Sequence, residues 1–150
     1  MEGKMMKMEP EKGSLVTLRT PPLFTHDKEE DGWKLIKNAE LIRGEPITLA
    51  LVKVLLPDES RVTGRDLLRR ASSFTRHAGQ LQAEQLLKNV PEGWGTGKYP
   101  GLRLFLGTEW EDGKGTPRYP CLSRSGLWRM EFAQFDNILF FKNDRLVIIL

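Results

Sequence analysis

Apolar residues in this chain alternate at both ends and follow a helical spacing in the middle. In SLVTLRT, Leu15, Thr17 and Arg19 fall on one side of an extended chain and Val16 and Leu18 on the other. That pattern predicts a strand, which stops at Pro21-Pro22 because neither proline can donate to a ladder. The acidic HDKEEDG from His26 reads as a solvated loop, and a second strand is expected from Trp33, although WKLIKNAELI also accommodates a short helix. After Gly44-Glu45-Pro46, ITLALVKVLL runs apolar to Pro57. Two elements fit this run: a strand central in a sheet, or a buried helix with Pro46 at its first position.

From Thr63 the period changes. Thr63 and Asp66 have the form of a capping box, and at about 100° per residue Leu67, Ala71, Phe74 and Ala78 share one helical face while Arg65, Arg69 and Arg76 cluster on the other. Beyond Gly79 the stripe shifts phase to Ala83, Leu86, Leu87 and Val90, which predicts a break near Gly79 and a second helix ending before Pro91. A glycine-rich loop, PEGWGTGKYPG, then leads into short runs separated by EDGKG, SRSG, DN and KND, an arrangement that reads as an antiparallel meander. In LWRMEFAQF, Trp128, Met130 and Phe132 alternate with Arg129, Glu131 and Ala133, giving one strongly aromatic face. The expected fold is α+β, with two or more helices packed on a mostly antiparallel sheet. It forms a single domain over residues 14–150, preceded by a disordered leader over 1–13.

Composition narrows the function classes. A chain of 150 residues with 39% apolar and 29% charged content suits one soluble core, and no apolar run approaches the roughly 20 residues of a membrane span. The start, MEGKMMKMEPEKG, lacks the apolar core of a secretion signal. Cys121 is the only cysteine, which excludes an internal disulfide and suggests a reducing, cytoplasmic setting. With two histidines besides, no structural metal site is expected, and no cofactor. Asn and Gln are scarce, at four each, a bias shared by heat-adapted proteins.

Charge and rings coincide in one region. Between Arg61 and Phe135, twelve Lys and Arg face seven Asp and Glu, while the rest of the chain holds eleven against thirteen. Nine of the thirteen aromatic residues lie in the same stretch. Cations interleaved with rings suit a single-stranded nucleic acid, whose phosphates the former attract and whose bases the latter stack. The arginine face of the first helix is the most specific part, because only Asp66 offers opposite charge between Arg61 and His77. Arginine also pairs bidentately with phosphate and stacks on bases.

Other motifs fit less well. Gly93, Gly95 and Gly97 before Lys98 suggest a phosphate loop, but Glu92 stands where that motif needs glycine and Tyr99 where it needs Ser or Thr. Glu109, Glu111, Asp112 and Lys114 have the residue types of a metal-dependent nuclease, yet Glu111 and Lys114 are three apart across Gly113, as in a hairpin turn. YPCLS carries no cue that would activate the thiol of Cys121. No catalytic residue is assigned.

A small, basic, heat-biased chain with an arginine-faced helix and a C-terminal aromatic meander resembles the ThermoDBP type of archaeal single-stranded DNA-binding proteins, in overall layout across residues 14–150. The resemblance implies a cleft between helices and sheet with a ring-bearing base and basic flanks, lined by Arg65, Arg69, Arg76, Trp94, Trp110 and Trp128. Arg61, Lys98, Tyr99 and Arg118 complete the candidate binding set, for single-stranded DNA or RNA. EPITLALVKVLLPDESRVTGRDLLRRA also resembles the first helices of winged helix-turn-helix regulators, which implies duplex DNA binding through residues 46–78. A third expectation is a protein-interaction module whose strand RLVIIL pairs at a sheet edge with a partner or a second copy, a homodimer through the C-terminal strand.

Overall fold

The computed structural model describes residues 9–21, 23–38, 45–95 and 100–150. The protein is α+β, with two α-helices and two sheets among the described residues. Strands are β1 (Val16–Leu18), β2 (Lys34–Lys37), β3 (Ile47–Lys53), β4 (Arg61–Thr63), β5 (Arg103–Leu104), β6 (Glu109–Glu111), β7 (Pro117–Ser125), β8 (Leu127–Ala133), β9 (Leu139–Phe141) and β10 (Arg145–Ile149). Helices α1 (Gly64–Ala71) and α2 (Gln80–Leu87) lie between β4 and β5. The main sheet has eight strands in the order β1-β3-β10-β5-β7-β6-β2, with β8 on the other side of β7, while β4 and β9 form a separate two-stranded ribbon. All pairings are antiparallel except that of β10 with β5.

The ambiguous run 47–53 is therefore a strand. It reads as continuously apolar because the sheet is covered on both faces at that point, so alternation has no polar side to mark. Ala50, Val52, Leu146 and Ile148 join α1 residues Leu67 and Ala71 in one core. Leu49, Leu51, Val147 and Ile149 join α2 residues Ala83 and Leu86 in the other. The two helices pack on opposite faces of the β3–β10 pair. A helix-turn-helix over 46–78 is excluded, since that segment holds one helix and two strands.

The strand RLVIIL is also not an edge. β10 pairs with β3 over Arg145 to Ile149 on one side, and on the other with β5 at Arg145 and Leu146 and with His77 at Ile148. Pairing with a second copy through this strand is thus blocked by its own neighbours. Residues 10 and 11, expected within the disordered leader, are paired with the sheet: Pro10 bridges Val52, the Glu11 amide donates to the Leu51 carbonyl at 2.8 Å, and the Glu11 carboxylate pairs with Arg145.

Helix α1 begins as the sequence predicts, with the Thr63 hydroxyl accepting from the Asp66 amide at 3.2 Å. It starts on Gly64, a poor helix former, because a Cβ there would lie 2.1 Å from the Phe135 carbonyl oxygen. The helix ends at Ala71 instead of continuing to Ala78. Arg76 and Ala78 are drawn into extended pairing with β10: the Ile149 amide donates to the Arg76 carbonyl at 2.9 Å and the Ala78 amide to the Val147 carbonyl at 3.0 Å. The break at Gly79 is as expected, and the Gln82 side chain accepts from the Gly79 amide at 2.7 Å.

Arg103 is buried without a carboxylate in hydrogen-bond contact. Its guanidinium donates to the carbonyls of Trp94, Leu102 and Asn143, and burial, with Arg145 nearby, lowers its pKa to about 10. We predict that Arg103→Met lowers stability by about 2–4 kcal/mol, because several carbonyls lose their donor at once, and that Arg103→Lys does not rescue it, since one ammonium cannot span three carbonyls. Urea midpoints of the three proteins check both statements.

Candidate nucleic-acid interface

The structure sorts the expected binding residues into three groups. Trp94 and Trp110 are fully buried at 0% exposure, with indole N–H groups donating to the Ser14 carbonyl and the Gln80 side chain, both at 2.7 Å. Neither ring can stack on a base. Trp128 is half-buried against the α2 core, with the Arg103 guanidinium 5.9 Å from its ring. Arg118 is held by Asp112 at 3.0 Å and reaches the Phe132 carbonyl at 3.3 Å. Trp94 and Trp110 are thus core residues, while Trp128 and Arg118 already have partners within the fold. Lys98 and Tyr99 lie outside the described residues.

Arg61, Arg65, Arg69 and Arg76 are all exposed, but Arg76 is not on the α1 face. On α1, Arg65, Arg69 and Ser72 follow an i, i+4, i+7 row opposite buried Leu67 and Ala71. Arg70, next to Arg69, is neutralised by Glu59, whose oxygens accept two bonds of 2.6 Å from it. That hydrogen bonding is also the main cause that lowers the Glu59 pKa. Glu59 stands just upstream of the region in which Asp66 was the only counter-charge. Asp66 itself lies 3.4 Å from Arg69, an exposed pair of small consequence. Arg61 and Arg65 have no ion-pair partner among the described residues.

The β4–β9 ribbon adds a ring the sequence reading missed. Val62 and Phe140 face the core as a directly opposed pair, so the next pair, Arg61 with Phe141, turns outward together. Phe141 is 53% exposed, and Leu139 beside it is also exposed, opposite Thr63. The signal was available in ILFF, where alternation requires one phenylalanine to point away from the core, but the sequence gives no hint that its neighbour is Arg61.

At the other end of α1 an open cleft of about 690 Å³ is lined by Lys37, Asn38, Ser72, Phe74, Arg76, His77 and Tyr119 among others. Its residues come from the end of β2, α1, the extended link 74–77, the link between β5 and β6, β7 and β10, so no spacing in the sequence could have announced it. The link is held by the β10 ladder, which fixes where Arg76 and His77 sit. Phe74 packs edge-on against His77 with ring centroids 6.1 Å apart. Tyr119 donates to Glu109 at 2.9 Å, and its pKa is raised chiefly by burial. The cleft is therefore rimmed by two cations, with a phenyl ring in its wall. Of the carboxylates considered for metal chemistry, Asp112 accepts from the amides of Lys114 and Thr116 in the 112–116 turn, and Glu109 accepts from Tyr119.

His77 Nε2 lies 2.8 Å from the Ala71 carbonyl, which accepts and so requires the ring proton on Nε2. Nδ1 is buried and has no partner. Burial lowers the imidazole pKa from the ordinary 6.5, the Ala71 carbonyl opposes this, and Lys37 adds to the lowering.

No protein-family model, curated protein or solved structure matches this chain. Among the described residues no helix is long and apolar enough to cross a membrane.

Two predictions follow from burial. In a Trp33→Phe/Trp128→Phe protein, emission from Trp94 and Trp110 should resist iodide quenching and stay unchanged on adding oligothymidine. A histidine with a lowered folded-state pKa binds fewer protons folded than unfolded. Its contribution is thus complete above about 6.5 and is lost as pH falls from there toward the lowered value. Urea midpoints should accordingly drop between neutral pH and pH values below about 6, and His77→Phe should reduce that drop, with His26 retained in both proteins as the control.

Proposed function

We propose that the protein binds single-stranded nucleic acid without base specificity, DNA being favoured, along the face formed by Arg61, Arg65 and Arg69 and on toward the cleft rimmed by Arg76 and Lys37. One observation carries this reading: Arg61 is paired across the ribbon with the exposed Phe141, Arg65 and Arg69 follow it exposed on α1, and among the described residues Asp66 is the only carboxylate within ion-pair distance of any of the three. Arg65, in the first turn of α1, opposes the helix macrodipole, a repulsion that a phosphate relieves. The guanidinium groups hold the backbone, and Phe141 and Phe74 provide the stacking first assigned to the tryptophans. A single strand suits the arrangement because its bases are free to turn toward a ring.

Titration with a fluorescent oligothymidine tests the proposal. Three phosphate contacts on a single strand give a slope of about −2 in a plot of log affinity against log salt. Replacing Arg61, Arg65 and Arg69 together by Ala should remove most of that slope, and Phe141→Ala should weaken binding by about 1–3 kcal/mol with the slope retained. Absence of affinity at low salt, or affinity indifferent to the triple substitution, would overturn the reading.

A further inference from the structure

Of the described strands that border a single neighbour, β8 is the longest, with seven residues paired only to β7. The direction of its unpaired backbone groups follows from the ladders. The Phe105 amide donates to the Pro120 carbonyl at 3.0 Å, so even-numbered residues of β7 turn toward β5. Odd-numbered Tyr119, Cys121, Ser123 and Ser125 then face β8, where their partners are Ala133, Glu131, Arg129 and Leu127. Trp128, Met130 and Phe132 therefore direct their amides and carbonyls to the free edge. Arg118 reaches the Phe132 carbonyl from that side, and the oxygen keeps a second lone pair.

Edge strands usually carry charges that discourage pairing. Here the two charges are of opposite sign and flank Met130 symmetrically. Arg129 and Glu131 are exposed on one face, with Nε to Oε1 at 3.1 Å. Two copies of β8 laid antiparallel about a two-fold axis at Met130 set Arg129 against the second copy's Glu131, Trp128 against its Phe132, and Met130 against Met130. All the outward backbone groups then meet in hydrogen-bonded pairs. Moving the axis by one residue in either direction sets Arg129 against Arg129 or Glu131 against Glu131, so charge fixes the register. The aromatic pairs extend a row that already includes Trp33, edge-on to Phe132 at 5.6 Å.

We infer that β8 is a self-complementary edge and that the protein forms a symmetric homodimer through it, joining two eight-stranded sheets into one. This rests on β8 alone and is independent of the nucleic-acid reading. Sedimentation velocity on the full chain, from micromolar to sub-millimolar concentration, tests it against the single-chain mass of 17.2 kDa. A species of twice that mass is expected. Met130→Pro should abolish it with the fold kept, checked by circular dichroism, because the lost amide faces the free edge. Arg129→Glu should weaken dimerisation by about tenfold or more, and adding Glu131→Arg should restore it. A single-chain mass throughout the range overturns the inference. So does a dimer that survives Arg129→Glu in folded protein, or one that the double exchange fails to restore.

Discussion

The pairing of β10 with β3 is the constraint from which the other parts of the molecule take their positions. Five consecutive residue pairs run from Arg145 with Lys53 to Ile149 with Leu49, and the side chains of the last four are buried on both sides of the sheet. The partners lie about 100 residues apart in sequence, so closing this ladder carries a large loop entropy cost that local contacts do not offset. Once it is closed, each face of the pair needs an apolar cover. Leu67 and Ala71 of α1 supply it on one face, Ala83 and Leu86 of α2 on the other. A chain that places consecutive helices on opposite faces must cross the sheet between them, and it does so at 74–79, pairing with β10 on the way. The cleft beside Arg76 and His77 is a by-product of that crossing.

This crossing explains both what sequence periodicity revealed and what it concealed. The alternation in 127–133, the Thr63 cap and the Gly79 break all express local preferences, and the folded chain keeps them. The extent of α1 was misjudged because Phe74 and Ala78 do continue an apolar stripe at helical spacing. Yet Arg76 and Ala78 gain backbone partners on β10 that a longer helix would forfeit. Tertiary pairing overrode a weak local signal. The 47–53 run was undecidable for a related reason: burial on both faces removes the polar side from which a period is read.

Aromatic residues misled more than charged ones. A tryptophan in a basic region looks available for stacking, but Trp94 and Trp110 each find an internal acceptor for their one polar atom, and burial then costs them nothing in hydrogen bonding. Their acceptors, Ser14 and Gln80, are distant in sequence and carry no recognisable pattern. The exposed ring, Phe141, sits instead on a three-residue ribbon strand whose inward face is filled by Phe140.

The arginines divide by what a cation costs when water is removed. Arg103 is buried, and its charge persists because backbone carbonyls take the place of water around it. Arg70 is half-buried and holds a carboxylate in bidentate contact, while Arg118 clamps a turn through Asp112. Each of these three has its donors committed inside the molecule, so an external anion would have to displace a formed contact. Arg61 and Arg65 have no such commitment, and the single contact of Arg69 with Asp66 is solvent-exposed and easily exchanged. Net charge over the region overstated the cations available, since it counts all of them alike. What distinguishes the α1 row is that an anion can be bound there without breaking anything the fold requires.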